Sequence, residues 1–397
     1  MDDRFEALAE LAVHGANVQP GQVVAVAAQL GQEELARATA AAAYARGALF
    51  VDVAYFDPFV KRARLERAEP DTLDFVPSWY GARMDAIAER GDARIHFTGS
   101  VAPNALAGLD PALTGRDQLP YLKEIPRIVG ERTTNWCFVP CPHPEWARLV
   151  HPELDADAAY EQLWNELWHV LRLDEDDPKA AWDARMATLR ANAEKLAARR
   201  FDAVELRGPG TELDVGLFPT GTWHAADFRT KRGLRHFPNL PTEEVFTTPD
   251  PERTHGHVTA TRPLVFRDGT IVRGLRVRFE HGRAAEVDAD EYAAAVRATI
   301  AIDEAASRLG ELALVDRQGR IGPLETVFFD TLLDENATSH IAFGNGFPFL
   351  VDERDRPRVN RSATHVDFMV GSPELDVTGV TRDGERVPIM RGGDWQL

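Results

Sequence analysis

Cysteine is nearly absent from this chain of 397 residues, which contains only Cys137 and Cys141. Two cysteines do not make a disulfide framework, and their Cys-x-x-x-Cys spacing is not the usual spacing of a zinc knuckle. The segment that contains them, "NWCFVPC", is apolar and typical of a strand. We therefore expect a protein of the reducing cytoplasm.

Long apolar runs are also missing. No run approaches the roughly 20 residues that a membrane-spanning helix needs. The N-terminal segment "MDDRFEALAELAVHGANVQ" contains acidic residues and no uninterrupted apolar core, so it does not resemble a signal peptide. We expect a soluble protein without a membrane partner.

Basic residues are in the minority, with 45 Lys and Arg against 63 Asp and Glu and a formal net charge of −18. A surface of this sign repels nucleic-acid phosphates and anionic lipids, so we expect no nucleic-acid partner. It is compatible with cationic partners and metal ions, although solubility alone also explains it.

The sequence motifs of two common enzyme classes are absent as well. No G-x-S-x-G segment marks the nucleophile of an α/β-hydrolase. The glycine-rich segment "RGPGTEL" lacks the lysine and the hydroxyl residue of a P-loop. Neither serine-hydrolase nor P-loop chemistry is therefore predicted.

What is present in the N-terminal part is an alternation of strands and helices. Residues 22–29 predict a buried strand, 32–46 a helix that ends at Gly47, and 48–55 a second strand. Another strand is predicted at 94–98. The order strand, helix, strand predicts a βαβ unit in a parallel sheet.

The pattern then changes twice along the chain. Residues 155–200 have helical spacing of apolar residues, and Asp177 before Pro178 predicts a helix start. After residue 201 short strands predominate, with an antiparallel meander at 266–287. We predict an N-terminal α/β domain with parallel-sheet units and a C-terminal α+β metal-binding domain with antiparallel strands. The predicted domains are 1–200 and 201–397.

The segment "HVD" at 365–367 is a candidate metal site. Side chains alternate along a strand, so His365 and Asp367 share one face while Val366 and Phe368 share the other. An imidazole and a carboxylate side by side suit a divalent ion. A hydrogen-bonded His–Asp pair inside the core is the alternative interpretation.

A long helix is predicted at 290–309, with Gly310 as its C-cap. Glu311 would then face the negative end of the helix dipole. This placement is unfavourable unless a cation offsets it or the side chain points to solvent.

Two more acidic segments lie in the C-terminal half. In "DENATSH", Glu335 and His340 converge only if the segment is not one continuous helix. In "NLPTEEVFTTPD", Glu243 and Glu244 point to opposite faces of a strand, so we expect one buried and one exposed acid. Carboxylates and imidazoles without thiolates fit zinc, manganese or cobalt, and their number matches a pair of ions.

Four segments in this order resemble the M29 family of metallo-aminopeptidases, the aminopeptidase T group. They are "NLPTEEVFTTPD", "LGELALV", "DENATSHIAFG" and "HVDFMVG". The resemblance implies a metal-dependent aminopeptidase that removes N-terminal residues from peptide substrates. It also implies two divalent metal ions (Zn, Co or Mn), two domains and a homodimer.

The resemblance further implies the residues of the site. The implied metal ligands are Glu244, Glu311, Glu335, His340, His365 and Asp367. Glu335 is also the implied catalytic residue, as a bridging ligand or general base, and Glu243 is a second candidate for moving the proton.

Phe347 departs from the family pattern, which has a tyrosine at this position near the metal site. A phenyl ring can neither ligate a metal nor donate a hydrogen bond. A second hypothesis therefore stays open, namely a catalytically altered or inactive peptide-binding protein with the M29 fold. A two-metal phosphoesterase is a third, which the negative charge disfavours.

Overall fold

The structure is a computed structural model that divides into two compact units. It describes residues 3–109, 113, 116–117, 119–120, 122–266 and 270–397. Unit 1 comprises Met1–Trp182 and Asp227–Pro241, and unit 2 comprises Asp183–Ala226 and Thr242–Leu397. The domain boundary near residue 200 stays a prediction.

Most of the described helices belong to unit 1. In chain order the helices are α1 (Asp3–Gly15), α2 (Glu33–Ala45), α3 (Pro58–Arg67), α4 (Ser78–Arg90), α5 (Ile125–Gly130), α6 (Pro144–Val150), α7 (Ala156–Val170), α8 (Pro178–Arg199), α9 (Ala293–Thr299) and α10 (Thr331–Glu335). Short 3-10 turns are Pro70–Thr72, Gly322–Leu324, Pro348–Leu350 and Arg356–Arg358. Within the described ranges no helix has both the length and the apolarity to cross a membrane.

The strands of unit 1 are β1 (Val23–Gln29), β2 (Phe50–Phe56), β3 (Ala93–Thr98), β4 (Asn135–Pro140), β8 (Phe228–Arg229) and β9 (Arg235–His236). Those of unit 2 are β5 (Ala203–Gly208), β6 (Thr211–Leu217), β7 (His224–Ala225), β10 (Glu244–Thr247), β11 (Pro249–Thr259), β12 (Leu264–Val265), β13 (Ile271–Val272), β14 (Arg276–Glu280), β15 (Arg283–Asp288), β16 (Leu309–Val315), β17 (His340–Gly344), β18 (His365–Met369), β19 (Asp376–Val380), β20 (Arg386–Arg391) and β21 (Asp394–Trp395).

Unit 1 is built on a four-stranded sheet with the strand order β2-β1-β3-β4. Strand β1 pairs in parallel with β2 and with β3, and α2 connects β1 to β2. Val24 and Val26 of β1 are buried, as expected for a parallel strand that is covered on both faces. The predicted βαβ unit is confirmed.

The predicted start of helix α8 is also confirmed. The Asp177 carboxylate accepts hydrogen bonds from the main-chain N–H groups of Lys179 and Ala180, at 3.1 and 3.0 Å. An acid in this position satisfies N–H groups that have no partner inside the helix. The helix then continues to Arg199.

Unit 2 contains two large antiparallel sheets. One has five strands in the order β18-β17-β16-β10-β7, and the other has eight in the order β15-β14-β11-β6-β5-β19-β20-β21. Phe343 of β17 stacks on Phe368 of β18 at 4.9 Å and lies 5.8 Å from Phe279 of β14. One face of the five-stranded sheet therefore packs on the other sheet, which leaves its opposite face for polar side chains.

The predicted helix over 290–309 is wrong. Helix α9 ends at Thr299, and strand β16 begins at Leu309. Between them the Asp303 carboxylate accepts hydrogen bonds from the N–H groups of Ala305 and Ala306, a local turn that competes with helix formation. Glu311 therefore lies inside a strand, and the helix-dipole argument does not apply to it.

Candidate metal centre

Strand β17 places the candidate side chains on the free face of the five-stranded sheet. His340 and Ala342 alternate with Ile341 and Phe343, and Phe343 points into the aromatic core. Ala342 pairs with Asp367 of β18 on one side and with Glu311 of β16 on the other. Because paired residues of antiparallel strands point to the same face, both acids flank the small Ala342 side chain.

A β-bulge at Gly310 puts Glu311 on this face. Leu309 pairs with Phe343, whereas Glu311 pairs with Ala342, so the register shifts between them. Without the shift, Leu309 and Glu311 would both point into the core. Only glycine fits at the bulge, because a Cβ on Gly310 would lie 2.3 Å from the carbonyl oxygen of Asn345.

The adjacent acids Glu243 and Glu244 are both buried, so the prediction that one is exposed is wrong. The reason is Arg185, whose Nε lies 2.5 Å from Oε2 of Glu243 and satisfies that carboxylate inside the protein. Glu244 Oε2 lies instead 3.2 Å from Nε2 of His340. Of the two acids, Glu244 is the one beside the candidate ligands.

Five of the six predicted ligands form two groups of three. Donor atoms of Glu244, Glu311 and His340 lie within 4.8 Å of one another, and so do those of Glu311, His365 and Asp367. In the second group His365 Nε2 lies 3.1 Å from Glu311 Oε2 and 3.3 Å from Asp367 Oδ1. Glu311 is common to both groups.

Both imidazoles are oriented by the main chain. His340 Nδ1 lies 3.2 Å from the carbonyl oxygen of Thr338, and His365 Nδ1 lies 2.7 Å from that of Asn345. A carbonyl oxygen only accepts, so we assign the ring hydrogen of each neutral imidazole to Nδ1. Without an ion, a proton on Nε2 lets each ring donate to the carboxylates; an ion would replace that proton and take the Nε2 lone pair, as in metal-ligating histidines.

Glu335 is the last residue of helix α10, and β17 begins at His340, so the two residues do not share one helix. Among the described residues, Glu335 belongs to neither group of three. Burial, followed by the charges of Asp367 and Glu244, raises the pKa of its carboxyl well above the ordinary value. The assignment of all six residues as metal ligands stays a prediction.

The electrostatics of the cluster favour a cation. Burial, together with Glu244 and Asp367, raises the pKa of Glu311 to about 7 against the opposing effect of His365. Burial alone would lower the pKa of His340, but the hydrogen bond to Glu244 and the nearby carboxylates raise it to about 10. Because carboxylates crowd together here away from water, a divalent ion would offset their mutual repulsion, and oxygen and imidazole donors suit such an ion.

Sequence reasoning missed three polar residues next to these ligands, namely Arg185, Asp316 and Asn336. Arg185 binds Glu243 and Asp316, and Asn336 accepts a hydrogen bond from the main-chain N–H of Glu243. Arg185 lies 58 and 131 positions from its partners, so no local pattern could have found it. Asn336 could have been chosen from the sequence as a neighbour of the site, because it directly follows the candidate residue Glu335.

Carboxylate and imidazole donors gathered on one antiparallel sheet are the donor set of a metal-binding protein. The family model described as Thermophilic metalloprotease (M29) matches residues 1–395. Aminopeptidase T of Thermus thermophilus is 42% identical over 98% of this chain and 98% of the relative. Aminopeptidase PepS of Streptococcus thermophilus is 34% identical over 100% of this chain and 98% of the relative.

A solved structure, wild-type AmpT from Thermus thermophilus, matches with a TM-score of 0.92 and 41% identity, covering 100% of this chain and 99% of that one. The chain belongs to the M29 family of metalloproteases. The family and the mixed α/β fold class that the sequence predicted are both confirmed.

Proposed function

We propose that this chain, a metallo-aminopeptidase of the M29 family, hydrolyses the first peptide bond of peptides with a pair of divalent ions. One observation carries the proposal of a pair: Glu311 belongs to both groups of three donors. Two donor sets that share one carboxylate are what a pair of ions about 3.5–4 Å apart requires. Zinc, cobalt and manganese all suit oxygen and imidazole donors.

Each predicted residue has a role in this proposal. Glu244 and His340 would hold one ion, His365 and Asp367 the other, and Glu311 both. Ions bound there would polarise the substrate carbonyl and lower the pKa of a shared water. The free amine of the peptide would be held by one of the ions or by a carboxylate that binds neither ion, which would restrict cleavage to the terminal residue.

Glu335 is the proposed general base. Its carboxylate belongs to neither group of three but is affected by the charges of Asp367 and Glu244, so we assign it the transfer of a proton from the attacking water to the leaving amine. Burial, followed by the charges of Asp367 and Glu244, raises the pKa of Glu335 above its ordinary value, which makes its carboxylate a stronger base. Glu243 is less suitable, because Arg185 already occupies its carboxylate.

Glu335→Gln tests this role. We expect kcat for a leucyl chromogenic amide to fall by about 10²–10⁴-fold, the usual loss when a general base is removed. The assay uses protein stripped by chelation and reloaded with zinc, cobalt or manganese, and metal analysis should still find two ions per chain. The exposed Glu325→Gln is the matched control. Unchanged turnover would remove Glu335 from the mechanism, and loss of one ion would make it a ligand instead.

The second candidate function is peptide binding without catalysis. The Phe347 ring, which has no hydroxyl group, packs 5.6 Å from the ring of His365. If peptides bind but no metal supports hydrolysis of leucyl or arginyl amides, this candidate replaces the first. A cytoplasmic location and a homodimer stay predictions, which fractionation and light scattering would check.

A further inference from the structure

A buried network of one arginine and two acids adjoins the candidate metal centre. Arg185 of helix α8 binds Glu243 through Nε at 2.5 Å and Asp316 through Nη2 at 2.8 Å and Nη1 at 3.2 Å. The three side chains are only 6%, 0% and 1% exposed. The guanidinium therefore binds Asp316 in a bidentate manner and donates a third hydrogen bond to Glu243.

The two acids are located at the ends of the strands that carry the ligands. Glu243 directly precedes Glu244, and Asp316 directly follows Val315, the last residue of β16. Glu244 and Val315 are themselves a cross-strand pair. Arg185 thus joins β10 to β16 where the pairing ends, and these strands supply Glu244 and Glu311.

Asn336 extends the same network to the third segment. Its Oδ1 accepts a hydrogen bond from the main-chain N–H of Glu243 at 2.7 Å, and its Nδ2 donates to the carbonyl oxygen of Leu332 at 2.9 Å. Asn336 is fully buried and directly follows Glu335. The start of β10 is therefore fixed to the end of helix α10, where the proposed general base is located.

The C-terminal strand holds the Asp316 carboxylate from another side. Trp395 of β21 donates its indole N–H to Asp316 Oδ2 at 2.5 Å, and the main-chain N–H of Gln318 donates to Oδ1 at 2.9 Å. Both oxygens of Asp316 are thus engaged by groups other than Arg185 as well. This fixes the plane of the carboxylate, and with it the plane of the guanidinium.

We propose that Arg185 is a positioning residue that sets the spacing of the metal ligands Glu244 and Glu311 and of the general base Glu335; the inference rests on the proposed function. Buried ionic networks often contribute little net stability compared with apolar residues of the same size. Groups that orient metal ligands from outside, in contrast, commonly change metal affinity by about 10–100-fold when they are removed. Arg185 is such an orienting group, because its hydrogen bond holds Glu243, the residue directly before the candidate ligand Glu244.

The test measures Co²⁺ binding to protein stripped of metal, by calorimetry and by the visible absorption of bound Co²⁺. For Arg185→Lys, which keeps the charge but loses the planar fork, we expect Co²⁺ to bind about 10–100-fold more weakly. Asn336→Ala should weaken binding in the same direction. The control is Arg253→Lys, because Arg253 of β11 also pairs with an acid, Asp202 at 2.5 Å, and neither belongs to a donor group; its Co²⁺ affinity should equal that of the wild type.

The outcomes separate this inference from the function on which it rests. A wild-type protein that binds no Co²⁺ would overturn the proposed two-metal function. Wild-type binding together with unchanged affinity in Arg185→Lys and Asn336→Ala would overturn the positioning role, even if both variants unfold at a lower temperature. If either variant fails to fold, Trp395→Phe is the deciding variant, since it removes the indole donor to Asp316 and leaves Arg185 and Asn336 unchanged. We expect several-fold weaker Co²⁺ binding there, and wild-type affinity would count against the proposal.

Discussion

Phe347 is the residue that most directly connects sequence to activity in this chain. Its ring packs 5.2 Å from Phe246, 5.6 Å from Phe349 and 5.6 Å from the His365 imidazole. Phe246 is two residues beyond Glu244 on β10, so it shares the face of that candidate ligand. The aromatic ring therefore forms a wall of the site but supplies no hydrogen bond where the family resemblance implies a tyrosine.

Phe347→Tyr should raise kcat for a leucyl amide by about 10-fold with little change in KM. A phenolic O–H next to the cluster can stabilise the charge that develops on the carbonyl oxygen, and one such donor is worth about 10²–10³ in favourable geometry. Steady-state kinetics on metal-loaded protein measure the effect. Phe349→Tyr is the control, as it adds the same hydroxyl to the next ring. Equal kcat in wild type and Phe347→Tyr would mean that this chain does not use the hydroxyl.

For the adjacent acids Glu243 and Glu244, the sequence predicts the direction of each side chain but not its burial. Strand alternation correctly separates the two side chains, and the family resemblance selects Glu244. Neither argument could tell that Glu243 is buried, because burial of an acid depends on its partner. That partner, Arg185, is 58 residues away on helix α8, and nothing in the sequence of that helix indicates a contact with Glu243.

Among the secondary-structure elements, strand β16 contains the irregularity on which the site depends most, the β-bulge at Gly310. The sequence around Gly310 predicts the end of a helix, but glycine marks helix ends and strand bulges alike. In the structure Gly310 forms a bulge. Strict alternation would put Glu311 on the same face as Leu309, and the bulge puts it on the opposite face. Sequence patterns of period two cannot locate such a shift, so the side chain that links the two donor groups is also the hardest one to orient.

Gly310→Ala should therefore weaken metal binding. A Cβ there would lie 2.3 and 2.4 Å from the carbonyl oxygens of Asn345 and Gly344, so the backbone has to move and Glu311 moves with it. We expect Co²⁺ binding to weaken by about 10-fold or more, as for other losses of ligand orientation, measured by calorimetry on protein with a wild-type circular dichroism spectrum. Gly130→Ala, whose Cβ would have no neighbour within 4 Å, is the control. Unchanged affinity in Gly310→Ala would show that the bulge does not set the Glu311 position.

Across the whole molecule, the confirmed predictions concern contacts that are local in sequence, although the local helix prediction over 290–309 is wrong. The parallel unit of β1, α2 and β2 and the meander of β14 and β15 both follow from short periodic segments joined by turns. The order of strands in the eight-stranded sheet does not, because β5 pairs with β19, from the far end of the chain. The candidate metal centre likewise combines β10, β16, β17 and β18, and only the family resemblance brought these segments together in advance.

Metal removal should lower the stability of the protein, because the ligands come from segments that only the folded chain brings together. An ion at a concentration of about 100 times its dissociation constant stabilises the native state by about 3 kcal/mol, if it does not bind the unfolded chain. For a compact unit of this size, that corresponds to a fall in unfolding midpoint of roughly 5–10 °C on chelation. Scanning calorimetry of chelated and Co²⁺-reloaded protein measures the shift.

Glu311→Gln identifies the ions responsible for this stabilisation. The substitution removes the one carboxylate common to both donor groups, so the metal-dependent shift should shrink to less than half of the wild-type value. The exposed Glu325→Gln should retain the full shift. If Glu311→Gln instead keeps the wild-type shift, the stabilising ions bind elsewhere on the chain. Under the proposed two-ion function, the Glu311 carboxylate would couple metal binding to folding, because it meets both donor groups only when β10, β16, β17 and β18 are assembled.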